Sequence, residues 1–285
     1  MTILMIVAVL VMFYLVLTLV AAYLVQKFPR TPVQDPPDWG RIIDTKIPAV
    51  DGGFLEVWRI DPKGSCKGIV TLVHGWGRNR DRMVNRARIL SKWGFATVIH
   101  SARDHGNSSS CRFVNAVTFA EDIESVLGWV GQPVILYGHS AGAAAAAIVA
   151  GRNAGAIQLL ILEGCYANTR EALLSLYRWV NPFFGVVFGP MILFWLALFY
   201  RTDLDTLSPA CLAPRIKMPV MLIHGEKDSR FPLGFAEKLQ KSFKQDQATL
   251  YIAVGAGHSD SSRTDGYETA LQDFLKQHFD AGETC

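Results

Sequence analysis

A short apolar run, Val134-Ile135-Leu136-Tyr137, ends in Gly138-His139-Ser140-Ala141-Gly142 and gives way at once to five alanines, Ala143 to Ala147. β-Branched and aromatic residues suit a strand, and alanine is the strongest helix former, so the chain must pass from strand to helix within about five residues. A serine held in so sharp a turn needs neighbours without bulk, and Gly138 and Gly142 supply that. Gly-x-Ser-x-Gly in this setting is the nucleophile-elbow pattern, with the serine presented at the positive N-terminal end of a helix. A plain turn is the competing reading, and the strand before and helix after weigh against it.

The remaining apolar runs fit around this element. Ile42 to Val50 and Phe54 to Ile60 read as antiparallel strands joined at Asp51-Gly52-Gly53. Gly68 to Val73, Phe95 to His100, Ile157 to Leu162, Val220 to Ile223 and Leu250 to Val254 are short buried-strand candidates. Helical segments fall between several of them, at Arg80 to Trp93, Phe119 to Val130 and, last, about Gly266 to His278. Strands alternating with helices predict an α/β domain with a mostly parallel sheet covered on both faces.

A serine hydroxyl is a weak nucleophile and needs a base. His258, in the glycine-rich loop Gly255-Ala256-Gly257-His258 after the last strand, is the candidate. An imidazole in turn needs a carboxylate to fix its tautomer and steady its charge. Asp228, after the strand ending at Ile223, is the preferred acid, with Glu163 and Glu226 as rivals. Ser140, Asp228 and His258 then follow the chain order described for one large hydrolase fold. An oxyanion hole takes one backbone N–H from Ala141, directly after the nucleophile. The second is expected from the loop His74-Gly75-Trp76-Gly77, with Trp76 the best candidate and His74 a loop-shaping residue. Trp76, His139, Phe194 and Trp195 are candidate pocket residues.

Ile3 to Val25 is 23 residues without a charge, about 34 Å as a helix and long enough to cross a bilayer core. The absence of a basic n-region and the length of the apolar stretch favour a signal anchor over a cleaved signal peptide. Lys27, Arg30 and Arg41 follow it, which predicts a cytoplasmic catalytic domain. Five widely spaced cysteines without a CxxC pair argue against a disulfide framework or a zinc site, and reduced thiols lean the same way. Pro29, Pro32, Pro36 and Pro37 predict an extended spacer over 29–38, with the catalytic domain from Trp39 onward, 39–285. A net charge of +3 is too weak and too dispersed to suggest a nucleic-acid partner, and none is expected.

Within the domain, about 166–214 interrupts the sheet pattern as a cap would. Phe183 to Tyr200 there carries no charge for eighteen residues, broken by Gly185, Gly189 and Pro190. One crossing would part Ser140 from Asp228 and His258, so a simple span is excluded. A buried helix, an interfacial segment and a re-entrant hairpin remain, and the aromatic content suits a cap that dips into lipid.

The motifs His74-Gly75-Trp76-Gly77, Arg103-Asp104-His105-Gly106-Asn107-Ser108, Gly138-His139-Ser140-Ala141-Gly142 and Gly255-Ala256-Gly257-His258 together resemble the α/β-hydrolase superfamily, from Trp39 to Phe279. In detail the chain is similar to membrane-anchored serine hydrolases related to monoacylglycerol lipases and prolyl-oligopeptidase-type enzymes. Asp104-His105-Gly106 departs from the Gly-His-Gly common in such enzymes, and a loop-shaping role is expected for it. The resemblance implies an esterase, lipase, thioesterase or peptidase, working through Ser140, His258 and Asp228 without metal or organic cofactor. The expected partners are the lipid bilayer and an apolar ester or lipid substrate. A serine peptidase and a silent lipid- or protein-binding scaffold are the other readings.

Overall fold

The computed structural model describes residues 1–34, 36–152 and 154–279. Eight strands form one sheet: β1 (Arg41–Pro48), β2 (Phe54–Asp61), β3 (Ile69–Val73), β4 (Ala96–His100), β5 (Val134–His139), β6 (Ile157–Glu163), β7 (Val220–Gly225) and β8 (Ala248–Ala253). Their spatial order is β1-β2-β4-β3-β5-β6-β7-β8. β1 and β2 form the expected antiparallel hairpin, β2 runs antiparallel to β4, and β3 to β8 are parallel.

The helices in chain order are α1 (Thr2–Leu24), α2 (Val84–Lys92), α3 (Ala116–Val130), α4 (Ala141–Arg152), α5 (Thr169–Val180), α6 (Pro182–Val187), α7 (Gly189–Tyr200), α8 (Pro209–Leu212), α9 (Gly234–Gln240) and α10 (Tyr267–His278). Period-two alternation sorts the strands between two cores. On β5, Val134 and Leu136 face the core shared with α3 and α4, while Ile135 and Tyr137 face the one shared with α2 and α10. Ala143 to Ala147 are all buried, so α4 lies close against the sheet. Asn115 caps α3 through a capping box with Thr118, which sets its start earlier than the apolar periodicity alone implies.

β3 lies between β4 and β5, so the chain leaves it in one direction and later returns on the other side. That reversal opens a crevice at the carboxyl ends of β3 and β5, where ligands bind in open α/β sheets. Val73 of β3 is in register with Gly138 of β5, which brings the Gly75 loop beside Ser140.

The uncharged run 183–200 breaks, as Gly185, Gly189 and Pro190 imply, at Phe188 into α6 and α7, with Pro190 in the first turn of α7. Among the described residues α1 alone is long and apolar enough to cross a membrane. The described residues of the proline-rich stretch form no helix or strand and touch the domain. Arg30 donates to the carbonyls of Gly106 (3.2 Å) and Ser108 (2.7 Å), and Asn79 donates to those of Thr31 (3.1 Å) and Pro32 (2.9 Å), docking the stretch on the domain. Cys66 is disulfide-bonded, so the cysteines are not all reduced.

Candidate active site

Ser140 has φ 56°, the left-handed conformation that a side chain adopts at a cost. It is held there by its own N–H, which donates to the Glu163 carbonyl at 2.8 Å. The flanking glycines are required by contact. A Cβ on Gly142 would lie 2.7 Å from the Val73 carbonyl oxygen and closer still to that of His74. One on Gly138 would lie 2.5 Å from the Ala143 Cα. In both cases the obstacle is backbone, which cannot swing aside.

Three loops at the carboxyl ends of β5, β7 and β8 meet. The His258 Nε2 lies 2.9 Å from the Ser140 Oγ, and its Nδ1 lies 2.6 Å from the Asp228 Oδ2. The other Asp228 oxygen accepts the N–H groups of Arg230 (2.9 Å) and Phe231 (3.0 Å), which fixes the carboxylate plane. Burial acts to raise the Asp228 carboxyl, but the hydrogen bond and charge of His258 outweigh it and leave it below the ordinary range. Phe231 packs edge-on against the His258 ring, with centroids 5.2 Å apart.

The backbone N–H groups of Ala141 and Trp76 donate to no acceptor among the described residues. A Cβ on Gly75 would stand 3.1 Å from the Ser140 Cβ, so the loop carrying Trp76 passes directly over the serine. His74 and His105 shape that loop. The His74 Nε2 accepts the Ala102 N–H at 3.0 Å, and the His105 Nε2 accepts the Gly77 N–H at 3.1 Å. Asp104 takes φ 62°, so the departure Asp104-His105-Gly106 does serve loop shape.

The rival acids are occupied elsewhere. Glu226 accepts the Gly255 N–H at 2.8 Å. Glu163 is fully buried and pairs with Arg86 through both guanidinium Nε, at 2.5 Å, and Nη2. Tyr137 donates to it as well, at 2.6 Å. Burial would raise the Glu163 carboxyl, but the Arg86 charge and hydrogen bonds win and hold it down at about 2. Arg86 is the residue sequence reading missed. A carboxylate at the end of an apolar strand calls for a cation, but nothing in the sequence distinguishes Arg86 from Arg82 or Arg88.

Of the four candidate pocket residues, Trp76 follows the glycine that passes Ser140, and its ring packs on Phe28, His105 and Phe119. His139 is buried behind the His258 loop, with its Nε2 3.1 Å from the His258 carbonyl oxygen. Burial pushes its imidazole down to about 3. Trp195 faces α1, donating to the Thr18 Oγ1 at 3.0 Å, and Phe194 is 54% exposed on the same helix. A polar cavity of about 280 Å³ lies elsewhere, lined by Arg82, Arg86, Ser259 and Arg263 among others, and does not include Ser140.

The sheet order and the elbow define an α/β hydrolase. Residues 64–208, just over half of the chain, match the family model of serine aminopeptidase, S33, and the chain belongs to that family. Among curated proteins, the uncharacterized protein YqkD of Bacillus subtilis (strain 168) is 23% identical over 246 residues, covering 83% of this chain and 80% of that one. Among solved structures, the esterase Pf2001 of Pyrococcus furiosus has a TM-score of 0.70 at 18% identity, covering 89% of this chain and 100% of its own. The proline iminopeptidase of Mycobacterium smegmatis has a TM-score of 0.66 at 16% identity, covering 83% and 98%. At such identities the structural likeness is one of fold.

Proposed function

We propose that the protein is a membrane-anchored serine hydrolase that cleaves carboxylic esters through an acyl-enzyme. The observation that carries this reading is the Ser140–His258–Asp228 line, at 2.9 and 2.6 Å, beside two backbone N–H groups without acceptors among the described residues. Ser140 attacks the ester carbonyl while His258 takes its proton at Nε2, and Asp228 holds the Nδ1–H and balances the imidazolium. The N–H groups of Ala141 and Trp76 receive the oxyanion. His258 then passes the proton to the leaving alkoxide, and water repeats the sequence on the acyl-enzyme.

An aminopeptidase reading is favoured by the family's description and by the iminopeptidase likeness. Such an enzyme must hold a substrate amine, for which a free carboxylate is the natural partner. Asp228, Glu163 and Glu226 are all engaged, with His258, Arg86 and Gly255 respectively. None of these three is free to hold an amine.

The exposed apolar length of α1 supports an anchor: only 6% of its most apolar window is buried. Under this reading residues 1–28 are the anchor, 29–38 a docked connector, and 39–285 the catalytic domain. Lys27 and Arg30 after α1 favour a cytoplasmic domain; with Cys66 disulfide-bonded, the cysteines lend that orientation no support. The test is a panel of esters and aminoacyl amides on the detergent-solubilised protein, with Ser140→Ala as control. Ester turnover lost in the variant supports the proposal. Turnover of amides alone selects the peptidase, and no turnover of either selects the scaffold.

A further inference from the structure

α1 does not stand apart from the domain. Tyr14, Thr18, Ala22 and Gln26 recur every four residues and so share one face of the helix. That face is packed on the cap. Tyr14 donates to the Val187 carbonyl at 2.7 Å, Trp195 donates to the Thr18 Oγ1 at 3.0 Å, and Tyr200 donates to Gln26. Thr18 and Ala22 are fully buried there. α7 therefore runs beside the second half of α1 and in the same direction. From Tyr14 to the end of α1 at Leu24 is ten residues, about 15 Å along the axis, or half of a bilayer core.

The outer side of α6 and α7 is apolar and, among the described residues, unpartnered. Val186 is 62% exposed and Leu198 56%, with Phe183, Phe194 and Phe199 exposed as well. Between Arg178 and Arg201 there is no charged residue. The polar atoms that point toward α1 are paired across the helix contact, which is what a hydrocarbon environment demands. Arg178 is exposed on α5 next to Gly185, and its long stem lets the guanidinium reach the headgroup layer. A soluble protein rarely leaves so large an apolar patch continuous with an apolar helix.

The same elements border the serine. On α5, Leu173, Leu174 and Tyr177 pack with α6 and α7, whereas Ala172 and Leu176 pack with Phe231, which touches the His258 ring. Just past α1, Phe28 packs edge-on against Trp76, with centroids 5.9 Å apart. The reaction site thus lies between the exit of α1 and the inner face of the cap.

Building on the anchored-hydrolase reading, we infer that α6 and α7 are inserted in the leaflet that holds the second half of α1, and that ester lipids of that leaflet reach Ser140 along α5. At 12 residues, about 18 Å, α7 enters one leaflet and does not cross. The substrate class is an acyl ester resident in the bilayer, not a short ester taken from water.

The test uses the full chain in vesicles of non-hydrolysable ether lipid. Environment-sensitive labels are placed one at a time at Val11 in α1, at Val186 in α6 and Leu198 in α7, and at Lys238 on the exposed side of α9. The expected result is quenching of Val11, Val186 and Leu198 by acyl-brominated lipid, and of Lys238 by aqueous iodide. Iodide quenching at Val186 and Leu198 with lipid quenching at Val11 overturns the insertion while leaving the anchor intact. Iodide quenching at Val11 overturns the anchor and the insertion together.

In the same vesicles, a fluorogenic long-chain acyl glycerol is diluted with ether lipid at fixed bulk concentration. A rate that falls in proportion to its mole fraction supports entry from the leaflet. A rate that ignores surface dilution overturns it. A fluorophosphonate adduct on the same sample reports separately whether the hydrolase machinery is intact.

Discussion

The carboxylate of Glu163 is held by Arg86, not by His258. Its backbone carbonyl meanwhile holds the Ser140 N–H at 2.8 Å. Arg86 also reaches the Ser259 carbonyl at 3.5 Å, next to His258. One buried ion pair therefore ties the elbow strand, the neighbouring strand and the histidine loop into a single frame. Two carboxylates that look alike in sequence have different partners, Asp228 the His258 ring and Glu163 the Arg86 guanidinium.

Asp228→Asn and Glu163→Gln should separate these roles. Loss of the Asp228 charge leaves the wrong His258 tautomer favoured, and turnover should fall by about ten-thousandfold with little change in melting temperature. Glu163→Gln leaves the Arg86 charge buried and unpaired, which costs about 3–5 kcal/mol of stability. Ester kinetics and thermal melts on both variants check the assignment. A greater loss of turnover per folded molecule in Glu163→Gln would reverse it.

Gly142→Ala adds one methyl group against the carbonyl oxygens of Val73 and His74. The close approach of α4 to β3 cannot accommodate it without backbone movement, at a cost of about 1–3 kcal/mol. The expected outcome is a lower melting temperature and a reduced turnover, since Ser140 and Ala141 shift with the helix start. A variant with unchanged melt and turnover would show that the contact can relax.

Stability should fall on the acid side before ordinary carboxylates titrate. His139 is held down from 6.5 to about 3 by burial. The unfolded chain therefore takes up a proton near pH 6.5 that the folded chain refuses, so this contribution is complete above pH 6.5 and is lost as pH falls toward 3. Glu163 adds a second loss between its ordinary 4.5 and about 2. Thermal melts from pH 7.5 to 4 (a range set on the order of those windows) should decline from about pH 6.5. His139→Gln, also neutral, should flatten the upper part of that slope. A flat profile down to pH 5 would contradict the assignment.

Much of the sheet was legible because it is written locally. Val134 to Ala147 states a strand, a tight turn and a close-packed helix in one stretch, and Asp51-Gly52-Gly53 states the hairpin. Asp228 and His258 were nominated by their places after successive strands, and the structure sets both in line with Ser140. What escaped depends on partners far apart in sequence. Arg86 lies 77 residues from Glu163, and its helix reads as an ordinary charged surface helix. Trp195 was assigned to the pocket for its aromatic, apolar setting, but Thr18, 177 residues earlier, takes its indole N–H. His139 adjoins the serine in sequence, and its buried ring packs between the Gly75 loop and the His258 loop, 5.3 Å from the His258 ring. Composition made 29–38 look like a spacer, whereas hydrogen bonds from Asn79 and Arg30 to loop carbonyls dock it.

The mechanism stands or falls on Ser140 as the nucleophile. Its most direct test is intact-mass and peptide mapping after exposure of the purified full chain to a fluorophosphonate, run beside Ser140→Ala with a thermal melt on each. The expected result is one adduct on Ser140 in the parent protein and none in a variant that melts at the same temperature. A folded Ser140→Ala protein that still takes up the probe, or a parent protein that takes up none, would contradict it.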